Sequence, residues 1–264
     1  VLELFLSLCL LSGTWLTLKG GWHGPRGFQV AGFDINALGL GVLAIGAAMY
    51  FWGVLYGIAL MVAVIVHEFG HVAAFRVCGH SDARFRLIPL MGGVAISNQL
   101  PASADKDFFI TLMGPAIGLG PMVFCYAASA ALDQTQADWA LYPAYYLYIQ
   151  AAIFGSLNFF NLLPLWPLDG GKMTLRLVHT FAPSMTRTVA MGMIVLAVAL
   201  CLMTRSYFML FFVLSSWQGL MQSEQILHVQ SGMSKRRGLL ALACYLVTAA
   251  ALFMGGFTVI GSFF

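Results

Sequence analysis

Charged side chains are scarce: Asp, Glu, Lys and Arg make up 9% of the 264 residues, where a soluble domain carries about a quarter. With 60% hydrophobic residues and a mean hydropathy of +0.86, this excludes an ordinary soluble enzyme. It points to a polytopic membrane protein. No basic block of the kind that binds nucleic acid is present. The five cysteines (Cys9, Cys78, Cys125, Cys201, Cys244) form no Cys-x-x-Cys pair, so they read as apolar packing residues rather than ligands or a disulfide framework. Residues 2–18 lack a basic leading region and make a poor signal peptide; they read as a short span or an interfacial segment.

Long apolar runs fill most of what remains. After a loop over 19–35, residues 36–52, 53–75, 108–132, 141–163, 188–203, 207–221 and 239–260 are candidate spans. Residues 76–106 differ in texture, and the Gly92-Gly93 pair between short apolar stretches suggests a hairpin or extended element at the membrane surface. Gly114-x-x-x-Gly118 allows close helix packing and carries a structural reading. Residues 172–187 read as a polar segment, and 222–237 as a polar stretch ending in Lys235-Arg236-Arg237. If membrane sides alternate, the loops 19–35, 76–106, 172–187 and 222–237 share one side, and twelve of the thirteen Lys and Arg residues fall there, Arg205 alone opposite. The positive-inside rule makes that side cytoplasmic. The expected fold is all-α with seven or eight transmembrane helices.

The chain's chemistry begins at His67-Glu68-Phe69-Gly70-His71, set inside one of these runs. On a helix, positions i and i+4 share a face, so both imidazoles can reach one metal ion, and Glu68 can serve the open position where water is activated. A catalytic zinc requires a third protein ligand. Ionisable residues near spans are few (Glu3, Glu68, Asp169), and Asp169 falls at the same predicted depth as the histidines. Pro164 and Pro167 before it interrupt a helix and Gly170-Gly171 after it permit sharp turns, so the carboxylate can be aimed inward. Lys172 or Arg176 is the alternative partner for Asp169. For the His-Glu-x-x-His residues the alternative is a proton relay of a transporter.

His67-Glu-Phe-Gly-His71, followed by Asn161-Leu-Leu-Pro164-Leu-Trp-Pro167-Leu-Asp169-Gly170, resembles the site-2 protease family of intramembrane zinc metalloproteases, peptidase family M50. Leu87 to Ala95 and the Gly114-Pro115 helix start also resemble that family's core. The resemblance covers roughly residues 36–226, with 1–35 as an N-terminal hydrophobic segment and loop and 227–264 as a basic loop and terminal span. It implies a six-helix core and one zinc ion per chain on His67, His71 and Asp169, with Glu68 activating the water. It implies that Asn161 orients substrate or stabilises the oxyanion. It also implies a membrane-surface sheet at Gly92, Gly93 and Val94 that receives an unwound substrate strand. Asn158, one turn before Asn161, reads as packing or secondary support. No insertion resembling a PDZ domain and no CBS pair is recognisable.

The expected activity is cleavage of single-span membrane proteins near the cytoplasmic face, in the lipid bilayer of a prokaryotic cell membrane. A regulatory membrane subunit is an expected partner and nucleic acid is not. A zinc protease for prenylated or small peptides, and a scaffold or ion transporter using the same cluster, are the rival readings. The intact Glu68 and the second motif argue against them.

Overall fold

The computed structural model describes residues 2–22, 46, 49–50, 53–88, 92–207, 210, 213–214 and 216–261. In chain order the described helices are α1 (Leu2–Thr17), α2 (Val54–Val77), α3 (Ala104–Ile117), α4 (Leu119–Asp133), α5 (Leu141–Asn161), α6 (Asp169–Phe181), α7 (Thr186–Met203), α8 (Trp217–Val229) and α9 (Lys235–Ile260). Two strands, β1 (Arg84–Ile88) and β2 (Gly92–Ile96), form an antiparallel pair. Four segments among the described residues are long and apolar enough to cross a membrane: Val54–Val77, Ala104–Asp133, Pro183–Met203 and Lys235–Ile260. The second is α3 and α4 run together across Gly118. Helix α5 is 21 residues long but is not among the four, because its tyrosines, Gln150, Ser156 and Asn158 dilute its apolar character. Most of the expected span 36–52, parts of 207–221 and most of the loop 19–35 lie outside the described residues.

Two compact units are distinguished. The first comprises residues 1–100, 113–159 and 248–264. Its long helix α2 follows Gly53 at φ 95 and closes with hydrogen bonds from Gly79 to the Arg76 carbonyl and from His80 to the Phe75 carbonyl, both 3.0 Å. Gly79 has φ 104, so a residue without Cβ makes this left-handed stop. The chain then enters the hairpin, which packs on α2 with Leu87 opposite Gly93 and Ile88 opposite Gly92. Its base is tied by Asp82, which accepts from Asn98 N–H at 2.6 Å and Ser97 Oγ at 2.9 Å. The same Ser97 hydroxyl lies 3.0 Å from His80 Nδ1.

Polar groups on the apolar helices of this unit find partners within it, as a bilayer demands. Gln150 donates to the Ala59 carbonyl at 3.1 Å, Ser129 to Ala144 at 2.7 Å, and Tyr126 to Gly255 at 2.6 Å. At Gly155 an added Cβ would stand 2.3 Å from Gly256 N, so α5 and α9 meet backbone to backbone there. Helix α1 packs along α4, and Trp22 stacks on Trp15 with ring centres 4.6 Å apart.

The second unit comprises residues 101–112 and 160–247. Its core gathers Trp166, Leu175, Ala190, Met193, Ile194, Leu220 and Leu227. The polar segment expected over 172–187 is mostly helix: α6 runs to Phe181 and buries Met173, Leu175 and Leu177, with Arg176 buried among them. Likewise α8 carries the expected polar stretch as far as Val229, with Leu220 and Leu227 buried. Sparse charge marked both as loops, whereas a helix of mixed composition needs only one apolar stripe to dock.

Candidate metal centre

His67 and His71 lie one turn apart on α2 and both are buried, at 5% and 7% exposure. Their Nε2 atoms are 3.2 Å apart, with the rings edge to face. Two ligands held at about 2.0–2.1 Å on a tetrahedral zinc are separated by about 3.3 Å. The imidazole pair therefore has the spacing of adjacent zinc ligands, and neutral imidazole nitrogen is a donor that zinc accepts. Glu68, the next residue, is half-buried.

Space for these rings comes from glycine. A Cβ on Gly114 would lie 2.2 Å from His71 Nε2, and one on Gly118 would lie 2.4 Å from Asn158 Nδ2. A Cβ on Gly70 would lie 2.3 Å from the Met113 carbonyl oxygen, so α2 approaches α3 closely at the same level. The small-residue motif read from sequence as helix packing thus makes room for two polar side chains. That consequence was hidden because only the pair's spacing, not its neighbours, is visible in a sequence. Asn158 is fully buried and its Oδ1 lies 2.7 Å from His67 Nδ1.

In the second unit, Asp169 is buried and is the first residue of α6, rather than the end of the preceding span. That position suits a carboxylate, because the N-terminal N–H groups and the helix dipole favour negative charge. Lys172 Nζ lies 3.0 Å from its Oδ1, as the alternative pairing anticipated. Gly170 and Gly171 are helical, not turn residues. Their role is steric: a Cβ would stand 2.1 Å from the Leu162 carbonyl oxygen in one case and 2.4 Å from that of Leu165 in the other. The segment carrying Pro164 and Pro167 folds back against them. Arg176, the other alternative partner, pairs with Asp107 instead. Asn161 is the last residue of α5 and half-buried.

Gly92, Gly93 and Val94 occupy β2, paired with Ile88, Leu87 and Arg86. The other edge of β2 has no strand beside it among the described residues.

The chain resembles known proteins over this region. The sequence model of peptidase family M50 matches residues 55–137 and 132–204, together more than half of the chain. Zinc metalloprotease MJ0392 of Methanocaldococcus jannaschii is 30% identical over 123 residues, 47% of this chain and 34% of that protein. Stage IV sporulation protein FB of Bacillus subtilis is 27% identical over 126 residues, 48% of this chain and 41% of that protein. The matched regions thus span less than half the length of either relative. The structure of the site-2 protease from Methanocaldococcus jannaschii aligns over 72% of this chain and 88% of that one, at 18% identity and a TM-score of 0.42. With four membrane-length helices and the family match across both motifs, the chain is an integral membrane protein that belongs to peptidase family M50, the site-2 protease family.

Proposed function

We propose that this chain is an intramembrane zinc metalloendopeptidase that cuts transmembrane segments of substrate proteins near the cytoplasmic face. The observation that carries the reading is the buried His67–His71 pair, with Nε2 atoms 3.2 Å apart, on an apolar helix of 24 residues. Family membership supports it. His67, His71 and Asp169 would hold the ion. Bound there, zinc supplies an activated water at neutral pH and polarises the scissile carbonyl.

The remaining steps belong to the chain. Glu68 takes the proton from the attacking water and passes it to the leaving amine. Asn161 donates a hydrogen bond to the carbonyl oxygen as charge develops there. A helical substrate must first unwind, since its peptide bonds are hydrogen-bonded and shielded. The edge of β2 at Gly92, Gly93 and Val94 that has no strand beside it among the described residues offers backbone groups to receive the extended strand. Lys172 stands beside the Asp169 carboxylate.

The reading extends to a seven- or eight-span chain with the catalytic core in 36–226, flanked by 1–35 and 227–264. Its surroundings are a prokaryotic cell membrane, a single-span substrate, and a regulatory membrane subunit where substrate filtering is required.

The test is cleavage of a single-span reporter by the purified chain reconstituted in lipid, beside Glu68→Gln and beside a zinc chelator. Cutting by the wild type alone, abolished by the chelator, is expected. Equal cutting by wild type and Glu68→Gln would refute the assigned mechanism.

A further inference from the structure

We infer that Asn158 is a positioning residue that holds His67 in the Nδ1–H tautomer, and that Gly118 exists at its position to keep the Asn158 amide in place. The inference rests on the zinc reading above and adds to it the group that prepares one ligand.

The amide has one orientation. Asn158 Nδ2 donates to the Phe154 carbonyl at 2.8 Å, which leaves Oδ1 facing His67 Nδ1 at 2.7 Å. An amide oxygen accepts and never donates. The hydrogen in that contact therefore belongs to His67 Nδ1. A neutral imidazole protonated at Nδ1 carries its lone pair on Nε2, the atom 3.2 Å from His71 Nε2. Asn158 thus decides which His67 nitrogen is bare, and it is the one beside the second imidazole.

Three features separate this role from packing. Asn158 has 0% exposure, so no bulk water can replace its oxygen. Its own N–H group is anchored within α5, so the acceptor is fixed before any metal arrives. Gly118 leaves no room to spare, because a Cβ there would come within 2.4 Å of Nδ2 and push the amide off its anchor. Metal-binding histidines are commonly oriented by an acceptor on the second nitrogen, and losing that acceptor weakens metal binding about 10- to 100-fold. Here the acceptor is a neutral amide, which orients the ring without burying another charge.

The experiment uses the full chain in lipid nanodiscs, labelled with 15N-histidine and stripped of metal. Ring 15N shifts report the tautomer directly, with His67 assigned by its loss in His67→Ala. Zinc dissociation constants are measured by chelator competition for the wild type, Asn158→Asp and Asn158→Leu. The expected result is a bare Nε2 on His67 in the zinc-free wild type. Asn158→Asp, which still accepts although it cannot donate to the Phe154 carbonyl, should retain that signature. Asn158→Leu should lose the signature and bind about 10- to 100-fold more weakly. A His67 carrying its hydrogen on Nε2 in the wild type overturns the inference even if no variant folds. So does Asn158→Leu with unchanged tautomer and affinity. A wild type with bare Nε2 that binds no zinc would refute the zinc reading while upholding the tautomer assignment, so the two failures are distinguishable.

Discussion

The Arg176 guanidinium donates to a single carboxylate oxygen of Asp107, through Nε at 2.8 Å and through Nη2 beside it, where both side chains are nearly shielded from solvent. Arg176 sits two turns after Asp169 on α6, so this ion pair pins the helix that begins with the candidate ligand. Removing one partner of such a pair leaves an uncompensated buried charge, which costs about 3–5 kcal/mol. Asp107→Ala should therefore lower stability by that amount in a denaturation titration in mixed micelles. The double variant Asp107→Leu with Arg176→Met should recover most of the loss, because no charge is then stranded. If the single variant is as stable as the wild type, the pair does not anchor α6.

Glu68 separates metal binding from proton transfer. It is adjacent to His67 in sequence but is not among the proposed ligands, so Glu68→Gln should bind one zinc per chain by elemental analysis. Its reporter cleavage should fall by about 10²- to 10⁴-fold, the range for losing a general base. His71→Ala should instead lose both zinc and cleavage. Zinc loss in Glu68→Gln would mean that the glutamate is a ligand.

Gly114 and Gly192 make a controlled comparison. A methyl group on Gly114 would stand 2.2 Å from His71 Nε2, whereas nothing lies within 4 Å of the Cβ position at Gly192. Gly114→Ala must displace the His71 ring or shift α3. It should therefore weaken zinc binding by at least about tenfold, by analogy with the loss of a ligand-orienting contact. Gly192→Ala, a helical glycine in α7, should leave zinc affinity and cleavage unchanged. Equal zinc affinity in the two variants would show that Gly114 does not shape the site.

How much of this was legible depended on the range of the signal. The His67–His71 spacing is a helical period, and a helix of apolar residues fixes which face the pair shares. Asp169 stood out because buried carboxylates are rare in such a chain, but its place at the start of α6 did not. The Lys172 and Arg176 charges mask a helix that buries Met173, Leu175 and Leu177. The Gly170-Gly171 pair looked like turn chemistry, although what it provides is contact with the Leu162 and Leu165 carbonyls. The Asn158–His67 contact joins residues 91 apart, and no local pattern encodes which of two asparagines on one helix meets a histidine.

At the foot of the hairpin, Asp82 is held below the ordinary carboxylate range, chiefly by the hydrogen bond from Asn98 N–H, against an opposing effect of burial that outweighs the smaller help from Ser97 Oγ. A carboxyl group whose folded pKa is depressed stabilises the fold above its unfolded pKa of about 3.9, and that contribution disappears as pH falls through the lower folded value. The contacts also close the hairpin that carries Gly92, Gly93 and Val94, so their loss should be felt locally. Asp82→Asn should raise amide hydrogen exchange in β1 and β2 at pH 7, where the wild-type carboxylate is ionised. The difference from wild type should shrink below about pH 4, as the wild-type group itself takes up a proton. Because the group is half-buried at the base of the hairpin, the effect should be confined to the hairpin and leave the exchange of α2 unchanged. A difference between the two proteins that persists undiminished at low pH would mean that the carboxylate's charge is not what holds the hairpin closed.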